Sequence, residues 1–142
     1  MKRDIIILLI LSSLILLVNL GAGSLSSWDE AFYAQVSREI IRSGNWIDLT
    51  WGGAVWNDKP PLCMWATALF FKLFGVNEFA ARLCSALAGI GTVIFTYLLA
   101  FRIFSRRVAM LSGIMLLSTY HFLWMSRSGT IDVTLTFFVL LS

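Results

Sequence analysis

The sequence predicts an all-α, polytopic membrane protein with three complete transmembrane helices, the start of a fourth, and interfacial helices in the first outer loop. Of its 142 residues, 58% are hydrophobic and 13% are charged, whereas soluble domains carry ~25% charged residues. The mean hydropathy is +0.82, and the apolar residues form long runs with basic residues beside them. This composition excludes a water-soluble globular domain.

The first predicted span covers residues 5–23. Ile5 to Leu20 is almost unbroken isoleucine, leucine and valine behind Lys2 and Arg3, and such a helix reaches ~24 Å at ~1.5 Å per residue. A cleaved signal peptide fits the same pattern, since small residues follow the apolar core. An uncleaved anchor is favoured because further apolar segments follow.

Three further apolar segments predict a span over residues 79–104, a span over 108–123 and a partial span over 133–142. Arg82 and Arg102 bracket the interior of the first of these and can snorkel to the two interfaces. The final segment stops before it could cross a bilayer. We therefore expect residues 1–142 to be the N-terminal part of a longer polytopic membrane domain.

The positions of the basic residues predict the orientation in the cell membrane. They cluster at the N-terminus and after the second span, at Lys2, Arg3, Arg102, Arg106 and Arg107. The positive-inside rule places both clusters, and thus the N-terminus, in the cytoplasm and residues 24–78 outside. The net charge is +3, but the basic residues form no stripe or patch, so no nucleic acid partner is expected.

The outer loop is patterned as two helices. Ser27 and Glu30 form a capping box for a helix that continues to Gly44, with apolar residues every fourth position at Phe32, Val36 and Ile40. This helix is expected to lie on the membrane with its apolar face down.

A second short helix is predicted from about Pro61 to Gly75, after an irregular stretch with three interfacial tryptophans, Trp46, Trp51 and Trp56. Residues 62–74 reach only ~20 Å, so an interfacial position is favoured over a span. The outer loop and residues 127–132 then emerge on the same face, whereas a further span would separate them.

Two acidic residues follow the first span. Acidic side chains in a first helical turn complement the helix dipole, which accounts for Glu30. Asp29 is left free and is a candidate catalytic residue.

A stiff segment presents a lysine in the same loop. Lys59 stands before Pro60 and Pro61, which restrict its backbone, and a rigidly held ammonium suits a phosphate ligand. The alternative is an exposed turn with a solvated ion pair between Asp58 and Lys59.

Arg127 and Asp132 lie before the last apolar segment. Ionisable groups at membrane depth usually face a cavity or a partner, so the two residues either serve a site or pair with each other. A transporter or channel fragment that uses both in a polar pathway is the alternative function, and a non-catalytic assembly subunit is a third.

The sequence gives no support for a cofactor or metal. Cys63 and Cys84 stand far apart without a second pair, so neither a zinc knuckle nor a disulfide framework is predicted. Both are expected to be buried small hydrophobes, and His121 is expected to be a packed or interfacial residue. A divalent metal therefore has no ligands assigned to it.

Four segments taken in order carry a family resemblance: residues Trp28 to Ala34, Ser43 to Trp46, Asp58 to Pro61, and Gly75 to Arg82. Together they resemble the N-terminal region of the dolichyl-phosphate-mannose protein mannosyltransferases and the bacterial aminoarabinose transferases that modify lipid A, within the C-type glycosyltransferase superfamily. The resemblance implies a membrane enzyme that transfers a sugar from a polyprenyl phosphate to a lipid, glycan or protein acceptor outside the cytoplasm.

The resemblance also implies roles for individual residues. Asp29 matches the acidic residue of the first outer loop, the proposed base, and Asp132 looks like the acidic residue of the second. Lys59 falls at the lysine of a Glu-Lys-Pro motif that holds the donor phosphate, with Asp58 in place of the glutamate. Three more residues, Glu30, Tyr33 and Arg127, complete the expected substrate-binding set.

One position departs from the aminoarabinose transferases. Phe32 stands where many of them have an arginine that helps to bind phosphate. The resemblance therefore leaves the sugar and the acceptor open.

Overall fold

A computed structural model describes residues 1–26, 28–56 and 58–142. Within these ranges the chain forms seven α-helices: α1 (Lys2–Leu17), α2 (Asp29–Ser43), α3 (Leu62–Phe74), α4 (Glu78–Ile103), α5 (Arg106–Ser118), α6 (Tyr120–Arg127) and α7 (Asp132–Leu141). A two-stranded antiparallel ribbon, β1 (Thr50–Trp51) and β2 (Ala54–Val55), lies between α2 and α3. The helical fold class is confirmed.

Helix α4 is the central element of the fold. Its first turn is capped by the Asn77 side chain, which accepts a hydrogen bond from the Ala80 N–H at 2.9 Å, as the sequence favours for this residue type. It packs against α1, α3, α5, α6 and α7. Among the described residues it is the one unbroken helix long and apolar enough to cross a membrane, and it matches the predicted span over residues 79–104.

The segment predicted as one span over residues 108–123 is instead two helices. Helices α5 and α6 meet at Thr119 with a bend of 66°, and α6 extends to Arg127. Two hydroxyls at the bend, those of Ser118 and Thr119, donate to the Met115 carbonyl at 2.8 and 3.0 Å. Side chains that bond to the preceding turn in this way bend helices, which explains the difference from the sequence prediction.

Helix α1 is shorter than the predicted span over residues 5–23. It ends at Leu17, and Asn19 has a left-handed backbone with φ of 54°. Leu8 and Leu16 are fully buried, and Leu8 packs in a cluster with Val93 and Tyr97 of α4 and with Leu117 of α5. Helix α1 is therefore an integral part of the folded core.

The two helices predicted within residues 24–78 form where the sequence predicts them, but the apolar face of α2 is covered by protein. Helix α2 ends at Gly44, whose φ of 72° suits glycine. Val36 and Ile40 pack on Met64 and Ala68 of α3 and on Leu49. This face is thus not available to lipid, because the two helices bury it against each other. Ser27, the predicted cap, lies outside the described residues.

The tryptophan-rich stretch contains a ribbon that the sequence did not predict. Gly52 and Gly53 form its turn with φ of 60° and 82°. The Glu39 carboxylate accepts hydrogen bonds from the Thr50 hydroxyl at 2.7 Å and the Gly52 N–H at 2.9 Å. Glu39 of α2 therefore holds the ribbon through its turn, and these bonds lower its pKa against the opposing effect of burial.

Candidate active site

A buried ion pair joins α2 to α4. The Nε of Arg82 donates to Oε1 of Glu30 at 2.7 Å, and a terminal nitrogen donates to Oε2 at 3.3 Å. The side chains are 10% and 4% exposed. Since a buried charge needs a partner and further hydrogen bonds, this pair fixes the start of α2 on the start of α4.

Two backbone groups complete the surroundings of Glu30. Its Oε2 accepts from the Ser26 N–H at 2.8 Å, and its Oε1 accepts from the Gly129 N–H at 2.9 Å. Burial opposes the ionisation of Glu30, but the hydrogen bonds from Arg82, Ser26 and Gly129 outweigh it and lower the pKa of the carboxyl. Glu30 thus holds the loops before α2 and before α7.

Arg82 also fixes the chain between α1 and α2. Its terminal nitrogens donate to four backbone carbonyls of this segment at 3.0 to 3.3 Å, those of Leu20, Ala22, Gly23 and Ser24. From the sequence, this arginine is expected at the membrane interface. The structure places it inside the protein, where five donors in a planar fork satisfy carboxylate and carbonyls together.

The Arg127 side chain, at the end of α6, caps the C-terminus of helix α1. Its guanidinium donates to the carbonyls of Ile15, Leu16 and Val18 at 2.6, 3.2 and 2.9 Å, which are among the groups a helix C-terminus leaves unpaired. Among the described residues no ion pair joins Arg127 to Asp132. The mutual pairing considered from sequence is therefore not what holds these residues.

A cavity of about 350 Å³ contains both predicted catalytic carboxylates. Asp29 begins α2 and Asp132 begins α7, and both side chains are exposed. The remaining lining includes Trp28, Trp124, Ser128 and Thr130. We call this space the carboxylate cavity, and its walls are set by the loops that Glu30 and Arg82 hold.

Tyr33 lies one helical turn after Asp29 and is buried. Burial raises the pKa of its hydroxyl, and the negative charges of Asp29 and Asp132 raise it further. The Tyr33 side chain packs in the cluster between α2 and α3 and is not among the described residues that line the carboxylate cavity. The hydroxyl stays protonated at neutral pH and is able to donate a hydrogen bond.

A second cavity of about 350 Å³ contains the predicted phosphate-binding lysine. Lys59 shares it with Asp132 and with the apolar side chains Leu62, Leu135 and Phe138. We call it the lysine cavity. Asp132 lines both cavities, so the structure brings Asp29, Asp132 and Lys59 to neighbouring walls of one region.

Asp58 is exposed and is not among the described residues that line either cavity. The described ion pairs do not include one between Asp58 and Lys59. The solvated pair considered from sequence is therefore not observed. Asn57, which precedes this segment, lies outside the described residues.

A third cavity of about 490 Å³ adjoins the carboxylate cavity, with which it shares Ser26, Glu30, Trp124 and Ser128. Its other lining includes Asn19, Tyr120 and Arg127. In the described part of the chain, no group of three or more histidine, cysteine or acidic side chains is placed to hold a metal ion. The polar groups of the region are carboxylates, hydroxyls and cations suited to an organic anion and a hydroxyl acceptor.

Comparison with known proteins identifies the family. Residues 58–142 match the family described as dolichyl-phosphate-mannose-protein mannosyltransferase. The chain belongs to this family. The predicted resemblance is confirmed, and the bacterial aminoarabinose transferases are also among its relatives.

Three relatives illustrate the match. An uncharacterised protein of Aquifex aeolicus is 34% identical over 143 residues, covering 100% of this chain and 29% of the relative. The undecaprenyl phosphate-alpha-4-amino-4-deoxy-L-arabinose arabinosyl transferase of Pseudomonas savastanoi is 41% identical over 103 residues, covering 72% of this chain and 19% of the relative. The crystal structure of ArnT from Cupriavidus metallidurans bound to undecaprenyl phosphate is 30% identical with a TM-score of 0.88, covering 95% of this chain and 25% of ArnT.

The chain thus spans 19% to 29% of the length of these relatives. The residue that sequence reasoning missed within this region is Arg82, the buried partner of Glu30. Arg82 belongs to the Gly75 to Arg82 segment of the resemblance and lies in the long, largely apolar helix α4. A charged residue in such a helix is the signal that could have identified it.

Proposed function

We propose that this chain is the N-terminal part of a membrane glycosyltransferase that transfers a sugar from a polyprenyl-phosphate donor to an acceptor hydroxyl at the outer face of the cell membrane. The observation that carries the proposal is the shared position of Asp132, which lines the cavity of Asp29 and the cavity of Lys59. A relative of the same fold is bound to undecaprenyl phosphate, which supports a donor of this class.

The lysine cavity suits a lipid phosphate. A lysine ammonium binds phosphate as a point charge, and the adjacent Leu62, Leu135 and Phe138 provide an apolar wall for the prenyl chain. The donor phosphate departs as a stable anion, so it requires positive charge more than a proton. Lys59 supplies that charge where negative charge develops in the transition state.

The carboxylate cavity suits the acceptor and the sugar. Asp29 accepts the proton of the acceptor hydroxyl while the hydroxyl oxygen forms a bond to the anomeric carbon. The bond from that carbon to the phosphate oxygen breaks, and its electron pair leaves with the phosphate. Asp132 lies between the two cavities, where its negative charge stabilises the oxocarbenium-like sugar.

The remaining substrate-binding assignments rest on the family resemblance, since Tyr33 and Asp58 are not among the described residues that line the cavities. The Tyr33 hydroxyl, kept protonated beside Asp29 and Asp132, donates to an acceptor or sugar oxygen. Arg127 contributes positive charge to the adjoining cavity while it holds the end of α1. Glu30 acts by positioning these elements. Asp58 contributes a negative charge at the surface, next to Lys59 in the sequence.

The outer-face placement rests on the arrangement of basic residues. Arg106 binds Asp4 near the N-terminus, so the two basic clusters lie at one end of the helices and the cavities lie at the other. We propose that α1, α4 and the bent pair α5 and α6 cross the membrane, that α7 begins a further span, and that α2 and α3 lie at the outer interface. The positive-inside rule then makes the basic end cytoplasmic.

Carboxylate substitutions in the full-length protein test the proposal. The two donors to assay are radiolabelled undecaprenyl-phosphate 4-amino-4-deoxy-L-arabinose and dolichyl-phosphate mannose, and the readout is label transferred to lipid, glycan or protein acceptors in membranes. D29N and D132N should each lower transfer by about 10²–10⁴-fold, the typical range for loss of a catalytic proton acceptor or charge. D48N removes an exposed carboxylate from a turn in the same loop and should leave transfer within about twofold of wild type.

Full transfer by D29N or D132N, with normal amounts in the membrane, would refute the assignment. Movement of an intact labelled donor across the membrane without covalent transfer would instead support the transporter alternative, which the comparisons do not favour.

A further inference from the structure

The two cysteines of the chain meet beside the lysine cavity. Cys63 lies in the first turn of α3 and Cys84 in the second turn of α4, and their sulfur atoms are 3.6 Å apart. Cys63 is 6% exposed and lines the lysine cavity, whereas Cys84 is half-buried. The fold therefore brings together two thiols that stand 21 positions apart in the sequence.

The two sulfur atoms are in direct contact, with no group between them at 3.6 Å. A disulfide has an S–S distance of about 2.05 Å, so bond formation requires the sulfurs to approach by roughly 1.5 Å. Cys84 is the more exposed of the two, so it is the sulfur that an oxidant reaches first.

We propose that Cys63 and Cys84 form a disulfide that fixes the start of α3, and with it the Lys59 segment, to α4. The inference rests on the proposed function in one respect, since the outer face is the side on which disulfides form and persist. It revises the expectation that both cysteines serve only as buried hydrophobes.

The reaction is a thiol–disulfide exchange with a disulfide oxidant, either an oxidoreductase in its disulfide form or a small disulfide. The Cys84 thiolate attacks one sulfur of the oxidant, and a mixed disulfide forms as the oxidant's own S–S bond breaks. The Cys63 sulfur then attacks Cys84, which releases the second oxidant thiol. Two cysteines are oxidised, and the oxidant leaves as a dithiol with the two electrons and two protons.

The bond would act on the donor side of the site. Cys63 lies four positions after Lys59, and both line the lysine cavity. A crosslink to α4 joins this wall to the helix that carries Arg82. The Lys59 segment should accordingly resist proteolysis more in the oxidised protein than in the reduced protein.

Thiol trapping with mass spectrometry tests the inference on the full-length protein. Cells are quenched in acid and dissolved in denaturant with N-ethylmaleimide, so that buried and exposed free thiols are both trapped, and the purified protein is digested with trypsin without reduction. Cleavage yields residues 43–72, because trypsin does not cut between Lys59 and Pro60, and residues 83–102. A linked pair of these peptides, abolished by a phosphine reductant, should account for more than half of each cysteine. Both peptides recovered mainly as maleimide adducts would overturn the proposal.

Matched variants locate the bond. C63S and C84S should each remove the linked pair while leaving the protein in the membrane. C63S combined with L62C moves the thiol by one residue, or ~100° around the helix, and should give no linked pair. Because trapping reads the cysteines directly, a linked pair in a protein without transferase activity would reject the proposed function alone, and free thiols in an active transferase would reject this inference alone.

Discussion

An acid–arginine pair lies at each end of the helices, and the two pairs differ in their surroundings. At the basic end, Arg106 binds Asp4 through two contacts of 2.6 Å, and its side chain is 56% exposed. At the other end, Glu30 and Arg82 are both buried and hold backbone groups from two loops, the one before α2 and the one before α7. We call these the Asp4 end and the Glu30 end.

The comparison explains where a site can form. At the Asp4 end the pair and the Tyr97 hydroxyl, 2.9 Å from Asp4, join helix termini directly. At the Glu30 end the same kind of pair holds loops, and the cavities with Asp29, Asp132 and Lys59 open between them. A rigid buried pair supports free ionisable groups nearby, as preorganised sites require.

The largest expected effect comes from removing the arginine at each end. Arg82→Ala should destabilise the full-length protein by about 3–5 kcal/mol, because it leaves the buried Glu30 charge without its partner. Arg106→Ala should cost clearly less, because the Arg106 side chain is 56% exposed, where solvent screens an ion pair, and because Asp4 keeps the Tyr97 hydroxyl as a donor. Urea unfolding in detergent, followed by tryptophan fluorescence, measures both. Equal losses would show that the two ends do not differ as described.

A smaller effect is expected from adding a methyl group at a matched glycine of each end. A Cβ at Gly129 would lie 3.1 Å from the Ala81 carbonyl oxygen and 3.2 Å from Cγ of Glu30, so Gly129→Ala should cost about 1–3 kcal/mol through overpacking. A Cβ at Gly113, within α5, would meet the movable end of the Leu8 side chain at 3.1 Å.

Gly113→Ala also gains about 1 kcal/mol of helix propensity, so its net effect should be close to zero. The same unfolding measurement provides the comparison. A neutral Gly129→Ala would mean that the loop before α7 is not held tightly by Glu30 and α4.

The smallest expected effect is the change with pH in the stability that Glu30 contributes to the fold. Because the folded-state pKa of Glu30 is lowered, its ionised form stabilises the fold fully above the ordinary glutamate value of 4.5, and this stabilisation is lost as pH falls through the folded-state pKa. The stability difference between wild type and E30Q should therefore be constant near neutral pH and shrink in acid. A difference that grows in acid would contradict the assignment.

Local patterns in the sequence predicted much of the helical structure. The amphipathic repeat that ends at Gly44 predicted α2. The proline at its start and the glycine at its end predicted α3, and the apolar run after Asn77 predicted α4. These features depend on residues within one or two turns of each other. The same locality explains why Asp29, Asp132 and Lys59 could be named from motifs.

Long-range partners were beyond such patterns. Glu30 and Arg82 stand 52 positions apart, so local capping was a sufficient explanation for one and snorkelling for the other. Arg127 satisfies carbonyls of α1 more than 100 positions away, a contact that only the packed fold defines. The bend at Thr119 and the ribbon after Leu49 likewise depend on hydrogen bonds that an apolar profile does not record.

The most direct test of the central claim is the binding of undecaprenyl phosphate to the purified full-length protein. The claim is that Lys59 binds the donor phosphate in a cavity whose wall Asp132 shares with Asp29. K59A should weaken binding by about 10-fold or more, the loss of one charge-assisted contact, whereas K2A at the Asp4 end should bind within about twofold of wild type. D132N should bind as tightly as wild type or more tightly, because it removes a negative charge near the phosphate. Unchanged binding by K59A, or a loss in D132N as large as that in K59A, would contradict the account.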